Sequence, residues 1–245
     1  MTTVLTLMGQ LQSANSEAEV KNCLLQLAEH IKFEFFLLGV LWPISATNTD
    51  YFELDNYPEA WKRHYKTNGY LGRDPVFQYA VSNYLPVGWH QLLTCKTQKP
   101  TNRDVLIDAK RFGLNSGFTV PIHGAFGQVG VMNFATATLE NADIQVMTPA
   151  VEKVQLLIPT LQQTIKRIRI NQLSKAASLL TKREIECLLW ATEGKSAWEI
   201  SKIIGCSEHT AIFHLKNASG KLGASNRYQA ISKAILSGVV RPAFG

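Results

Sequence analysis

Leu180–Ala230 reads LTKREIECLLWATEGKSAWEISKIIGCSEHTAIFHLKNASGKLGASNRYQA, and its start and stop signals decide the fold of the C-terminal part of the chain. Thr181 and Glu184 have the spacing of a capping box, in which the hydroxyl accepts from the Glu184 amide while the carboxylate reaches back. The helix that follows carries Ile185, Leu188 and Leu189 on one side, and Gly194 ends it. Ser196 and Glu199 repeat the device and open a short helix with Ile200, Ile203 and Ile204. Gly205 permits a tight turn, and Ser207 caps a third helix running to about Leu222. A fourth helix follows. Helix, glycine turn, helix is the helix-turn-helix pattern, whose second member enters the DNA major groove. On composition alone, the other reading is a small helical protein-interaction module.

The third helix has Ile212, Leu215 and Leu222 as its larger apolar residues, with Ala211, Ala218 and Phe213 beside them. Glu208, His209, Thr210, Lys216, Asn217 and Lys221 offer polar tips for base edges or phosphates. This segment resembles the LuxR-type family of transcription factors. The resemblance rests on Leu180-Thr181-x-Arg183-Glu184, Gly194-Lys195-Ser196, Glu199-Ile200, Ser207-x-x-Thr210, His214, Asn217, Lys221-Leu222 and Arg227. It implies a four-helix helix-turn-helix domain with Ser196, Ser207, Glu208, His209, Thr210, Ile212, Phe213, Lys216, Asn217 and Lys221 as the DNA-binding set. Two positions depart from the family. Ala211 stands where Val is usual, and Ile212 stands where Lys or Arg often faces DNA.

Charge agrees with this placement. The chain carries a net +6, but from Lys166 onward 13 Lys and Arg face 5 Asp and Glu, while the preceding residues hold 12 against 14. The whole basic excess therefore accompanies the helix-turn-helix segment, as a phosphate-binding module requires. With 46% hydrophobic and 18% charged residues, 245 residues suffice for two cores. No apolar run approaches the roughly 18 residues that span a bilayer. The N-terminus lacks a secretory signal pattern, and the four cysteines show no metal-ligand spacing, so the expectation is a reduced, cytoplasmic protein without a membrane segment.

The remaining chain reads as mixed. Two helices fill residues 2–31, divided near Ser13–Ser16. Phe33–Trp42 is an apolar, aromatic strand; polar residues through Asp50 form a loop, and Tyr51–Tyr57 returns as a strand. Pro58 opens a helix that places Trp61 and Tyr65 on one face. Asp74-Pro75 opens another, with Asp capping and Pro at the first helical position. Thr101 and Asp104 begin a helix ending at Gly113. Gly117–His123 and Gln128–Ala135 are strands of a hairpin. Residues 141–171 form the longest helix, with Pro149 in its first turns and Pro159 expected to kink it. These elements predict an α+β first domain, an antiparallel sheet between helical layers in an α-β-α sandwich, over residues 1–169. A linker at 170–179 leads to the all-helical domain at 180–245.

Tyr57, Trp61, Tyr65 and Trp89, with Asp74 nearby, form a polar-aromatic group that suits either a ligand pocket or an ordinary aromatic core. Here too the chain resembles the LuxR-type quorum-sensing receptors, through Trp61, Tyr65, Asp74, Pro75, Trp89 and Gly117 in matching order. The resemblance implies that the first domain is an autoinducer-binding domain that takes an N-acyl-homoserine lactone as regulatory ligand, with no cofactor. Trp61 would donate to the lactone carbonyl, Asp74 would accept from the amide N–H, and Tyr57 would donate to the acyl carbonyl. Trp89 would pack over the lactone ring, while Tyr65, Phe36, Leu38, Val76 and Phe118 would line the acyl tail. Pro75 and Gly117 would set the shape. Asn133 would read a 3-oxo or 3-hydroxy group, unless backbone partners satisfy it. A buried Asp74 without a donor would cost about 1–3 kcal/mol, which makes folding of the empty domain dependent on ligand.

No P-loop, nucleophile elbow, paired catalytic carboxylates or zinc-spaced histidines are present, so an enzyme is not expected. The expected protein is a quorum-sensing transcriptional regulator that reads a two-fold related DNA site as a homodimer, with RNA polymerase as a further partner. The alternatives are an apo-active or antagonistic regulator acting through heterodimers, or one that senses a non-lactone signal.

Overall fold

The computed structural model describes residues 3–45, 48–95, 100–138, 144–173 and 180–240. Contacts divide the chain into two compact units: Met1–Leu41 with Tyr51–Gly124 and Gln128–Ile168, and Arg169–Gly245 with Trp42–Asp50 and Ala125–Gly127.

The first unit is built on a five-stranded sheet in the order β2-β1-β5-β4-β3. Its strands are β1 (Phe35–Ser45), β2 (Asn48–Asp55), β3 (Val87–Gly88), β4 (Ser116–His123) and β5 (Val129–Thr136). The central pairs β1–β5 and β5–β4 are antiparallel, with Leu37 opposite Asn133 and Asn133 opposite Thr119. These strands read as near-continuous apolar runs because both faces are buried. One face presents Phe36, Leu38, Phe118 and Phe134, all fully enclosed, and Phe33 meets Phe118 edge-on with ring centroids 5.2 Å apart. The other face carries Leu37, Asn133 and Thr119 toward a cluster built from the helices that follow β2.

Those helices are α3 (Glu59–Thr67), α4 (Pro75–Ser82), α5 (Trp89–Thr94) and α6 (Pro100–Lys110). The terminal helices α1 (Val4–Ser13), α2 (Glu17–Ile31) and α7 (Ile144–Leu173) join each other, and the Thr164 hydroxyl donates to the Leu11 carbonyl at 2.8 Å. The expected antiparallel sheet between helical layers is therefore present. Details differ. β1 runs on to Ser45 and β2 begins at Asn48, so the described residues of the polar segment expected as a loop belong to these two strands, with β2 at the sheet edge. Pro58 is the N-cap of α3 and not its first helical residue. α7 carries both prolines and continues to Leu173, so residues 170–173 of the expected linker are helical; 174–179, and the expected helix start at 141–143, lie outside the described residues.

In the second unit, α8 (Lys182–Thr192), α9 (Ala197–Ile204), α10 (Glu208–Lys221) and α11 (Arg227–Leu236) follow the capping signals closely. Both capping boxes form, with Glu184 and Glu199 each accepting at 2.7 Å from the amide of its cap residue. Gly205 takes φ +68°, the left-handed turn that only glycine adopts without strain. α10 packs on both α8 and α9. Its inner face is Ala211, Leu215 and Ala218, and the two alanines are wholly buried, so the helices approach closely. Ile203, expected among the apolar positions of its helix, instead faces outward at 44% exposure, and Ile212, expected in the DNA-binding set, is 48% exposed.

Candidate functional site

A cavity of about 460 Å³ lies between the inner sheet face and α3, α4 and α6. That is within the size range of small-molecule sites, roughly 300–1,000 Å³. α3 supplies Trp61 and Tyr65 four residues apart, with ring centroids 5.6 Å from each other. Asp74 caps α4: its Oδ1 accepts from the Val76 amide at 2.8 Å, and its Oδ2 accepts from the Tyr65 hydroxyl at 2.8 Å. The Asp-Pro pair at the helix start thus points a carboxylate into a hollow floored by β1 and β5.

Burial raises the Asp74 carboxyl to about 6, against the opposing hydrogen bonds from Tyr65, Val76 and Phe77. Burial also pushes the Tyr57 and Tyr65 hydroxyls well above the ordinary phenol range, with the Asp74 charge as the next cause. Both phenols therefore remain protonated donors at neutral pH. Two buried polar atoms in this cavity, the Tyr57 hydroxyl and the Asn133 Oδ1, make no hydrogen bond of ordinary geometry, although the Asn133 side chain lies close enough to the Tyr57 hydroxyl to oppose the rise in its pKa. Native interiors rarely leave such atoms bare, because each costs about 1–3 kcal/mol.

Of the residues expected in the pocket, Tyr57, Trp61, Tyr65, Asp74, Val76, Trp89 and Asn133 line it. Phe36, Leu38 and Phe118 do not. They occupy the opposite face of the sheet, and Leu37, one residue along β1, takes the cavity position. Pro75 is the first residue of α4 and Gly117 lies on β4, both behind the wall. Gly117 nevertheless shapes the wall: a Cβ there would sit 2.5 Å from the Phe134 carbonyl oxygen and 3.0 Å from the Trp89 ring. Trp89 uses its indole N–H internally, donating to the Thr119 hydroxyl at 3.0 Å, which leaves its ring face for packing. Tyr65 holds the carboxylate as well as lining the hollow, so the expected orphan at Asp74 is not one. The sequence reading missed Tyr51, Tyr70 and Phe77, and the row Val105, Leu106 and Ala109 on α6. The i, i+1, i+4 spacing of that row is a helical apolar face and was a usable signal.

The helical unit presents a second surface. Opposite the buried Ala211, Leu215 and Ala218, α10 exposes His209, Ile212, Phe213 and Lys216. Ser196 and Ser207 serve as caps, accepting from the Glu199 and Thr210 amides. Lys221 differs from expectation. Its ammonium donates to both carboxylate oxygens of Glu184, at 2.8 and 2.9 Å, and Glu184 is almost fully buried. It ties α10 to α8 and is not a free cation for phosphate. Arg227 likewise donates to the Lys195 carbonyl and braces the turn before α9.

A hollow with unsatisfied polar atoms, joined in one chain to a basic helix-turn-helix, defines a ligand-responsive DNA-binding regulator. Residues 16–165 match the autoinducer binding domain, and residues 178–234 match the bacterial regulatory proteins of the luxR family. The chain belongs to the LuxR family of transcriptional regulators. It is 39% identical to the transcriptional activator protein VanR of Vibrio anguillarum over 98% of both chains. It is 38% identical to the transcriptional activator protein LuxR of Aliivibrio fischeri, over 96% of this chain and 93% of that one. Among solved structures it resembles SdiA in complex with octanoyl-rac-glycerol, with TM-score 0.83, 25% identity, and coverage of 98% and 96%. No described helix is long and apolar enough to cross a membrane.

Proposed function

We propose that this protein is a cytoplasmic, N-acyl-homoserine-lactone-dependent transcriptional activator, sensing through residues 1–169 and binding DNA through 180–245. The observation that carries the ligand is the pair of bare polar atoms, Tyr57 Oη and Asn133 Oδ1, facing an aromatic cavity that also holds Asp74. An acylated amide matches this set. Its carbonyl accepts from Tyr57, its N–H reaches the Asp74 carboxylate or Asn133 Oδ1, and its alkyl chain covers Leu37, Leu106 and Leu114. Trp61 meets the lactone and Trp89 packs on the ring. Ligand that fills the hollow stabilises the folded unit by mass action.

DNA binding follows from the exposed face of α10 and the basic C-terminal segment. One recognition helix covers few base pairs, so a homodimer on two half-sites raises both affinity and specificity. RNA polymerase is the partner through which such an activator acts.

A second reading has one support: the SdiA structure named above holds octanoyl-rac-glycerol, an acyl chain with hydroxyl donors instead of an amide. Mass spectrometry of small molecules co-purified from a lactone-producing host, followed by melting across lactones and monoacylglycerols, separates the two. The expected result is a bound lactone and a melting temperature raised by several degrees with lactone only. Equal stabilisation by octanoylglycerol supports the second reading, and no shift with either class sinks both. A gel shift with and without lactone tests the antagonistic alternative, which requires DNA binding, or heterodimers, without ligand.

A further inference from the structure

α10 exposes two large apolar side chains on the surface that a recognition helix turns to DNA. Ile212 is 48% exposed and Phe213 55%. With 100° per residue, Phe213 lies nearly opposite the axis of the buried Ala211, Leu215 and Ala218, and so at the centre of the outward face. His209 and Lys216 flank it, one turn to either side, and both are exposed. Ile212 stands at the edge of the same face. The helix N-terminus lies five residues before Phe213, at Glu208 after the Ser207 cap, so both residues are within the first two turns, the part that reaches base edges in helix-turn-helix proteins.

Neither side chain can donate or accept a hydrogen bond, so neither can read guanine, adenine or cytosine by their polar edges. The major groove offers one group that an apolar side chain recognises, the C5-methyl of thymine. The basic surroundings decide the occupant. Lys216 shares the face, and the segment from Lys166 onward has 13 Lys and Arg against 5 Asp and Glu, which suits a polyanion and not an apolar protein partner.

We infer that Ile212 and Phe213 are specificity-determining residues that read thymine methyl groups in each half-site. The inference rests on the DNA-binding reading above and adds the base chemistry read by the helix. Half-sites then contain thymine at two or more adjacent positions facing α10, on either strand. His209 and Lys216 supply the polar contacts at either end.

The test uses the full chain, purified from cells grown with mixed N-acyl-homoserine lactones, and a random duplex library. Enriched duplexes are remade with each thymine in turn replaced by deoxyuridine, which removes only the methyl. Wild type is expected to lose about fourfold in affinity at each of two or more positions per half-site, the value of one buried methyl group. Placing 5-methylcytosine in a cytosine-substituted site is expected to recover more affinity than cytosine does. Ile212→Ala and Phe213→Ala are each expected to bind thymine and uracil duplexes equally at one of those positions, with melting unchanged because both residues are exposed. Equal binding of thymine and uracil at every position by wild type, with selective binding intact, overturns the inference alone. Loss of homodimer with retained thymine preference in the two variants would assign the patch to a subunit contact and overturn it too. Failure to enrich any sequence overturns the DNA-binding reading, and the inference with it.

Discussion

The cavity unit and the helix-turn-helix unit meet the same demand, that buried polar groups be satisfied, in opposite ways. Among the described residues 180–240, no buried side-chain nitrogen or oxygen lacks a partner. Even the buried Glu184 carboxylate accepts from its own cap amide and from Lys221. In the first unit, the Tyr57 hydroxyl and the Asn133 carbonyl oxygen face the hollow bare. One unit satisfies its buried polar side chains within the polypeptide, whereas the other turns two such groups toward a cavity. Regulation by a small molecule needs that asymmetry, since a ligand shifts stability only where it supplies contacts that the chain lacks.

The contrast is open to direct attack. Trp61→Ala should have the largest effect: removal of a buried indole costs about 3–5 kcal/mol. It should abolish lactone-dependent reporter output and lower the first unit's melting transition, and a variant that keeps both would remove Trp61 from the site. Lys221→Ala comes next: it strands the Glu184 carboxylate, and because Lys221 is itself about a third exposed the cost falls below the roughly 3–5 kcal/mol of a fully buried pair. Hydrogen exchange should speed up in α8 and α10, with the first unit unaffected; unchanged protection would show that the ion pair is dispensable.

Asp74 gives an intermediate, pH-dependent effect. Burial raises its carboxyl to about 6, above the ordinary 3.8. The folded, ligand-free chain therefore holds this proton more tightly than the unfolded chain, and its stability falls as pH rises from about 4 to 6. A lactone amide N–H favours the charged form, so affinity should move the other way, rising about tenfold between pH 5 and 7 and levelling off above. Calorimetric titration of wild type and Asp74→Asn checks this, and the variant should show no such rise. The smallest effect is expected at Lys216. Its alanine variant should keep its melting temperature and reduce the slope of log K against log salt by about 1, as the loss of one phosphate contact does. An unchanged slope would take Lys216 off the DNA.

Much of the helical unit was legible because its signals are local. A capping box couples residues three apart, and Gly205 can be read as a left-handed turn without knowledge of what lies elsewhere. The pocket was legible to a point. Trp61 and Tyr65 share a helix face by spacing, and Asp74 points inward because Asp-Pro starts α4 there. The inner face of β1 was not legible. FEFFLLGVLW is apolar on both faces, so alternation cannot say whether Phe36 and Leu38 or Phe35 and Leu37 face the hollow, and a one-residue choice exchanges the two sets. Pairing with β5 decides it by placing Leu37 beside Asn133. Lys221 failed for a related reason. On a helical wheel it is a surface lysine near a DNA-facing helix, and its partner Glu184 lies 37 residues away.

Sequence alone determined where the helices of the C-terminal unit begin and end, the split between a slightly acidic sensing part and a basic DNA-binding part, and several of the residue types that gather around the cavity. Those are properties of neighbours within a few positions and of composition, which the chain carries before it folds. Tertiary structure alone decided which face of β1 meets the ligand space, that Tyr65 already satisfies Asp74, that Tyr57 and Asn133 are left bare, and that Lys221 is spent on Glu184. Each of these depends on which distant groups arrive within about 3 Å, and hydrogen bonds and packing are sensitive on that scale.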